Sequence, residues 1–260
     1  MSAIWIIFKK ETKGFFAQPG FYIICFLLSV IFSWVYPLQL KAFSQMLMSF
    51  MMQQGGAQQQ LNIHYSVFLR QLSYLNLLMI FVVPALTMRL FSEEKKMKTM
   101  DLLMTSPVTS LQIVVGKYLA ALAAVLGLVL VAIAYPLATI PLVDNVQWAP
   151  LLISFSGIFL VGSVYAAMNL FCSSLTEHSL VAFVMSVILN LSIWFIGMGA
   201  DAVDSEWARK VFEHISLNTH LAGLIEGTVR TPGLVFLFSL VGLFVFLTER
   251  VIESSRWRST

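Results

Sequence analysis

The sequence predicts an all-α integral membrane protein with six transmembrane helices. Composition is the first observation: 58% of the 260 residues are hydrophobic and 11% charged, with a mean hydropathy of +0.84. Soluble domains carry about 25% charge, so this chain has too little polar surface to cover a globule in water. The second is that the apolar residues fall into six runs of the length that a bilayer core of about 30 Å requires of a helix. The third is that none of the runs alternates polar with apolar as barrel strands do, and unpaired backbone groups are not tolerated in lipid, so the spans are helices.

Ahead of the first run, Ser2 to Phe16 reads as a helix lying in the membrane interface. Trp5, Phe8, Phe15 and Phe16 form its apolar side, while Lys9, Lys10, Glu11 and Lys13 cover the other. Gln18-Pro19-Gly20 breaks it. The apolar run that follows is too long for a signal-peptide core and shows no small-residue cleavage pattern, so it is expected to stay in the membrane. The spans are expected at Phe21 to Leu40, Gln71 to Phe91, Leu111 to Ile140, Leu151 to Ser173, Ser179 to Gly199 and Gly233 to Leu247. Between the first two, Met46, Met48, Met51 and Met52 precede a Gln/Gly run. They lie at helical spacing among Leu47 and Phe50, which reads as an adaptable apolar face rather than a copper site.

Lys and Arg set the expected orientation. With the N-terminus inside, the inner side holds Lys9, Lys10, Lys13, Arg89, Lys95, Lys96, Lys98, Lys117, Arg250, Arg256 and Arg258. The outer side holds Lys41, Arg70, Arg209, Lys210 and Arg230. The bias places both termini in the cytoplasm, and the chain in an inner membrane crossed six times. The link between spans two and three is then cytoplasmic. Over residues 92–107, Ser92 is expected to cap a short helix, Glu93 and Glu94 to favour its first turn, and Pro107 to end it. Met97, Met100, Leu103 and Met104 form an apolar ridge with no partner in their own loop, the form of an element that inserts into a groove on another protein. Residues 200–231 read as one or two short extracytoplasmic helices, on the periodicity of Trp207, Val211, Ile215, Leu221 and Leu224. The tail from Glu249 carries Arg250, Arg256, Trp257 and Arg258 and reads as an interfacial anchor.

Other chemistries find little support. Basic residues sit at the ends of apolar runs and form no stripe, which argues against a nucleic-acid partner. Cys25 and Cys172 are far apart inside apolar runs and predict neither a disulfide nor a metal knuckle. Glu177-His178 lies at a span boundary where water is available, and Asp201 with Asp204 has no nucleophile near it. His214 and His220 lack the HExxH spacing of a helical zinc site. Asn76, Asn169 and Asn190 lie deeper in the spans, where amides join helices first and line a substrate path second. No Walker loop, G-x-S-x-G or GxGD occurs, so no catalytic site, cofactor or metal is expected on this chain. A docking element without an energy-coupling site of its own invites a partner ATPase.

Two blocks of sequence carry a specific resemblance. Pro84-Ala85-Leu86-Thr87-Met88-Arg89-Leu90-Phe91-Ser92-Glu93-Glu94-Lys95-Lys96, with Asp101-Leu102-Leu103, Ser106-Pro107-Val108 and Gly116-Lys117-Tyr118-Leu119, resembles the signature after the second span of ABC-2 type transporter permeases. Ile215-Ser216-Leu217-Asn218-Thr219-His220, Gly227 and Phe244 to Arg250 agree with it, and the pattern is similar to the gliding-motility-associated permease subunits. The resemblance spans the chain as a single transmembrane domain, 1–260. It implies a six-span subunit paired with a second copy or a homologous permease, with each subunit bound to an ABC ATPase that holds ATP and magnesium. By position it makes residues 1–18 the elbow helix, 92–107 the coupling helix and 200–231 the outer re-entrant helices. The substrate it implies is hydrophobic or amphipathic. Two positions depart from it: Lys98 and Glu226-Gly227 stand where many relatives have Gly and Arg-Gly. A secondary carrier or channel, and a non-transporting anchor for an ATPase in cell-surface machinery, are the other function classes compatible with six spans.

Overall fold

The computed structural model describes residues 2–52, 63–100, 107–142, 148–199, 205, 207, 209, 212 and 215–258, and among them every regular element is helical. In chain order these are α1 (Ala3–Ala17), α2 (Pro19–Met52), a π-helical turn (His64–Phe68) running into α3 (Leu69–Thr87), α4 (Arg89–Lys96), α5 (Ser110–Thr139), a 3-10 turn (Ile140–Leu142), α6 (Trp148–Leu175), α7 (Ser179–Gly199), α8 (Leu217–Ile225) and α9 (Thr231–Arg258). Among the described residues, six helical segments are long and apolar enough to cross a membrane, as the sequence predicts. The fifth has the expected boundaries, the third the expected length one residue earlier, and the others are longer. α2 continues through Pro37 to Met52, taking Met46 and Met48 into the helix rather than a loop, and α9 runs through the expected anchor segment to Arg258. The Gln/Gly run lies outside the described residues.

α6 is the central helix. It packs against α3, α4, α5, α7, α8 and α9, and 72% of its most apolar window is buried, against 17% for α7 and for α9. Small residues make these contacts close: a Cβ on Gly162 of α6 would stand 2.6 Å from Val125 of α5. α7, α9 and most of α2 keep wide apolar faces outward, the surface expected toward lipid or another apolar chain.

Two of the spanning helices contain a proline whose cost is met by a neighbouring amide. Proline has no N–H, so the carbonyl four residues earlier loses its helical partner. For Pro136 that carbonyl is Ala132, and Gln71 of α3 donates to it at 2.9 Å. For Pro84 it is Ile80, and Asn190 of α7 donates at 3.3 Å. In a bundle without water these amides keep the prolines from leaving bare carbonyls, and they pin α3 to α5 and α7 to α3.

Candidate functional site

The densest polar structure lies where α4 meets the ends of four other helices. Lys117 lies two turns into a span, since α5 starts at Ser110 under a capping box between Thr109 and Gln112, and its side chain is only 2% exposed. An ammonium has three protons to place. Here three acceptors surround it: Glu11 Oε1 of α1 at 3.0 Å, Glu94 Oε1 of α4 at 2.8 Å and the carbonyl of Leu90 at 2.7 Å. The ring of Phe91 lies 5.2 Å from Nζ. Lys10 also approaches Glu11 and Glu94, at 3.8 and 3.9 Å, but its side chain is 69% exposed and the pairs are long, so they add little. Lys117 is the bond that matters, because removing one partner of a buried pair leaves the others charged and dry.

On its other side α4 is held by hydroxyls. Ser173 near the end of α6 accepts from the amides of Phe91, at 3.1 Å, and Ser92, at 3.2 Å, and donates to the carbonyl of Met88 at 2.8 Å. In a regular helix those amides would bond to residues 87 and 88, so the hydroxyl has entered the helical ladder, and the break between α3 and α4 falls there. Ser92 Oγ meets Ser179 Oγ at the start of α7 at 2.9 Å, and Lys95 donates to the carbonyl of Ser174. α4 is thus tied to α1 and α5 through one ammonium and to α6 and α7 through serines.

The expected helix over 92–107 takes a different form. Ser92 is buried in the middle of α4 and caps nothing at its start; its hydroxyl bonds back to the carbonyl of Met88. Glu93 and Glu94 therefore lie in the second half of a helix that continues the second span and ends at Lys96. Glu93 pairs with Arg89 at 3.3 Å on the surface, while Glu94 turns inward to Lys117. The chain then leaves α4 through a closed turn: Lys98 N–H bonds to Lys95 O at 3.1 Å and Thr99 N–H to Glu94 O at 3.0 Å, with Lys98 at φ 55°. This is the helix-ending motif in which the left-handed position is ordinarily glycine. Met97 is exposed on that turn, between Lys96 and Lys98, but Met100 is buried in the chain's own core, so these two do not share an open ridge. Leu103 and Met104 lie outside the described residues.

α1 likewise corrects the expected division of faces. Glu11 does not lie with the lysines; it faces Lys117. Phe15 is buried and Phe8 packs on the core, while Trp5 stays half-exposed beside Phe8 at a ring separation of 5.1 Å. Lys9 is exposed and Lys13 lies on the outer side with it. α1 therefore rests on α5, where a Cβ on Gly116 would come within 2.9 Å of Ile7. Sequence periodicity missed Lys117 and Glu11 because each was counted with the charge of its flank; the usable signal was a lysine seven residues inside an apolar run.

The three buried asparagines separate in role. Asn190 serves the Pro84 kink. Asn76 accepts from Tyr165 at 3.2 Å and reaches Asn218 of α8 at 3.5 Å, lining a cleft at the opposite end of the bundle. Asn169 lies between Tyr165 and Ser173 on α6 and is fully buried, and neither of its amide atoms has a hydrogen-bond partner among the described residues. At that same end α8 closes on Gly227, at φ 82°, through amides of Gly227 and Thr228 bonded to Leu224 and Gly223. The Ile225 carbonyl is gathered by Ser154, at 2.8 Å, and by His64, at 3.2 Å. The described part of the 200–231 segment thus includes one helix packed onto α6 and α7; residues 200–204 lie outside it.

A family model described as ABC-2 family transporter protein matches residues 5–222. The chain belongs to the ABC-2 transporter family. That span takes in α1 from Trp5 onward, the α4 junction and the first two thirds of α8, so the buried Lys117 cluster lies inside the matched region. No curated protein matches the chain. In this family the membrane protein is a transport component, generally not itself catalytic.

Proposed function

We propose that this chain is the permease subunit of an ATP-driven transporter that exports, or moves across the bilayer, a hydrophobic or amphipathic substrate. α4 and the turn after it receive the stroke of a separate ABC ATPase. The observation that carries this reading is the double attachment of α4. A push on the Met97 turn is passed to α1 and α5 through Lys117 and to α6 and α7 through Ser173, Ser174 and Ser179. A helix fixed on both sides moves its neighbours as a body. In this reading the α4 end is cytoplasmic, as the distribution of Lys and Arg argues, both termini lie there in an inner membrane, and α1 is the elbow helix.

The docking surface is smaller and more basic than the expected ridge. Met97 supplies its apolar contact, flanked by Lys96 and Lys98, with the Arg89–Glu93 pair beside it; Met100 anchors the turn from within. Leu103 and Met104 remain assigned to the ATPase groove on their spacing alone. A second copy or a homologous permease is expected to cover part of the apolar faces of α2, α7 or α9, and membrane lipid the rest. The Gly116-Lys117-Tyr118-Leu119 and Ile215 to His220 blocks favour the gliding-motility-associated branch of the family.

Co-purification with the ATPase tests the docking assignment. Met97→Asp is expected to release the ATPase without lowering the thermal stability of the permease, because Met97 is 72% exposed. Retention of the ATPase by that variant refutes the assignment. ATP-dependent movement of a labelled lipid in proteoliposomes separates a transporter from a mere anchor.

A further inference from the structure

At the end of the bundle remote from Lys117, an open cleft of about 300 Å³ lies between α3, α7 and α8. Its lining grades from polar to apolar to charged. Asn76 and Asn218 meet within it, their contact of 3.5 Å at the outer limit of a hydrogen bond. Leu69, Leu221 and Trp194 contribute apolar lining, and Glu226, an exposed residue, is the one ionisable side chain among the described lining residues. Ser73 also faces the cleft but spends its proton on the Leu69 carbonyl, at 3.0 Å.

The charge of the lining has a definite sign. Glu226 is exposed and makes no salt bridge among the described residues. It caps the C-terminus of α8, the negative end of that helix's dipole, so the carboxylate and the dipole add. Arg70 and Arg230 belong to the same end of the chain, but neither lines the cleft, and Arg230 pairs with no carboxylate among the described residues; a Cβ on Gly223 would stand 3.8 Å from its Cδ. An apolar-walled cleft with negative potential at Glu226 complements a positively charged head carried on an apolar chain, and repels an anionic one.

We infer that this cleft binds cationic amphipaths, with an ammonium group at Glu226 and the hydrocarbon chain lying against Leu69, Leu221 and Trp194. The inference deepens the permease reading by naming a substrate class and rests on that reading for its transport meaning, but the binding itself requires no ATPase.

The test uses the purified full-length protein in a neutral maltoside detergent and two probes of equal chain length, an alkyltrimethylammonium and an alkyl sulfate, each brominated on the chain to quench tryptophan. The ammonium is expected to quench saturably with at least tenfold higher affinity than the sulfate. Trp194→Phe should remove most of the quenching. Glu226→Gln, a change at an exposed position, should reduce the preference to about twofold or less. Equal affinities for the two probes, or a preference that Glu226→Gln leaves intact, overturns the inference. Moving the same ammonium probe in proteoliposomes with the ATPase is a separate readout. Binding without ATP-dependent movement supports the cleft and counts against the permease reading for this class, whereas movement that survives Glu226→Gln with unchanged preference counts against the cleft.

Discussion

Replacing Lys117 by methionine keeps the length of the side chain and removes its charge, leaving Glu11 and Glu94 facing each other across the space where the ammonium stood. The loss is calculable in outline. Breaking a buried ion pair by deleting one partner costs about 3–5 kcal/mol, because the remaining charge stays desolvated. The two carboxylates are 18% and 15% exposed, so part of their charge is relieved by water and the lower half of that range applies. The Leu90 carbonyl loses its donor as well, which adds about 1 kcal/mol. On the scale of roughly 2–4 °C per kcal/mol for a chain of this size, Tm should fall by about 8–20 °C. Cys25 and Cys172, half-buried and buried in the spans and both free, report the unfolding through a thiol-reactive dye in detergent. Restoring neutrality with Glu11→Gln and Glu94→Gln in the same chain should recover more than half of the loss, since a neutral cluster carries no desolvated charge. A fall of less than about 2 °C in the single variant, or no recovery in the triple, refutes the claim that this ammonium holds α1, α4 and α5 together.

Lys98→Gly removes a side chain from a left-handed position and should stabilise the permease by about 1 kcal/mol, seen as a Tm rise of a few degrees; no rise would mean that the φ of 55° costs nothing. Gly227→Ala should cost more than about 2 kcal/mol, because φ is 82° and the new Cβ would lie 2.7 Å from Pro150 Cβ, and the loss of Tm should be largest when Pro150 is unchanged. Gln71→Met should cost about 0.6–1.7 kcal/mol in the native sequence and almost nothing in a Pro136→Ala background, where the restored N–H of residue 136 can reach the Ala132 carbonyl; a double-mutant cycle of thermal stabilities checks the coupling.

What the sequence made legible was whatever depends on period and length. Six spans follow from hydropathy because the bilayer accepts few alternatives, and the fifth came out at Ser179–Gly199 as expected. The junction was legible in place and not in form. Ser92 looks like a cap because serine before two glutamates is a helix start in most contexts, yet here the preceding apolar turn is already helical and Ser173, 81 residues further on, occupies the ladder instead. No local rule can see that contact. Glu94 and Lys117 were visible as charges but not as partners, since their pairing depends on α5 returning beside α4. Met100 shows the same limit: its spacing matches Met97, but the turn at Lys98 rotates it into the core. Pro84 and Pro136 could be seen inside the spans, but the amides that relieve them, Gln71 and Asn190, needed the packing of helices far apart in sequence.

The central claim is that the α4 end of the bundle, through the turn at Met97, is where an ATPase acts on this permease. Photo-crosslinking in native membranes, from a benzophenone side chain placed at Met97 or at Met48 near the far end of α2, tests it most directly, both positions being well exposed. The account predicts an adduct with a Walker-type ATPase from position 97 and none from position 48. An ATPase adduct from position 48, or none from position 97 in membranes where the two proteins co-purify, contradicts it.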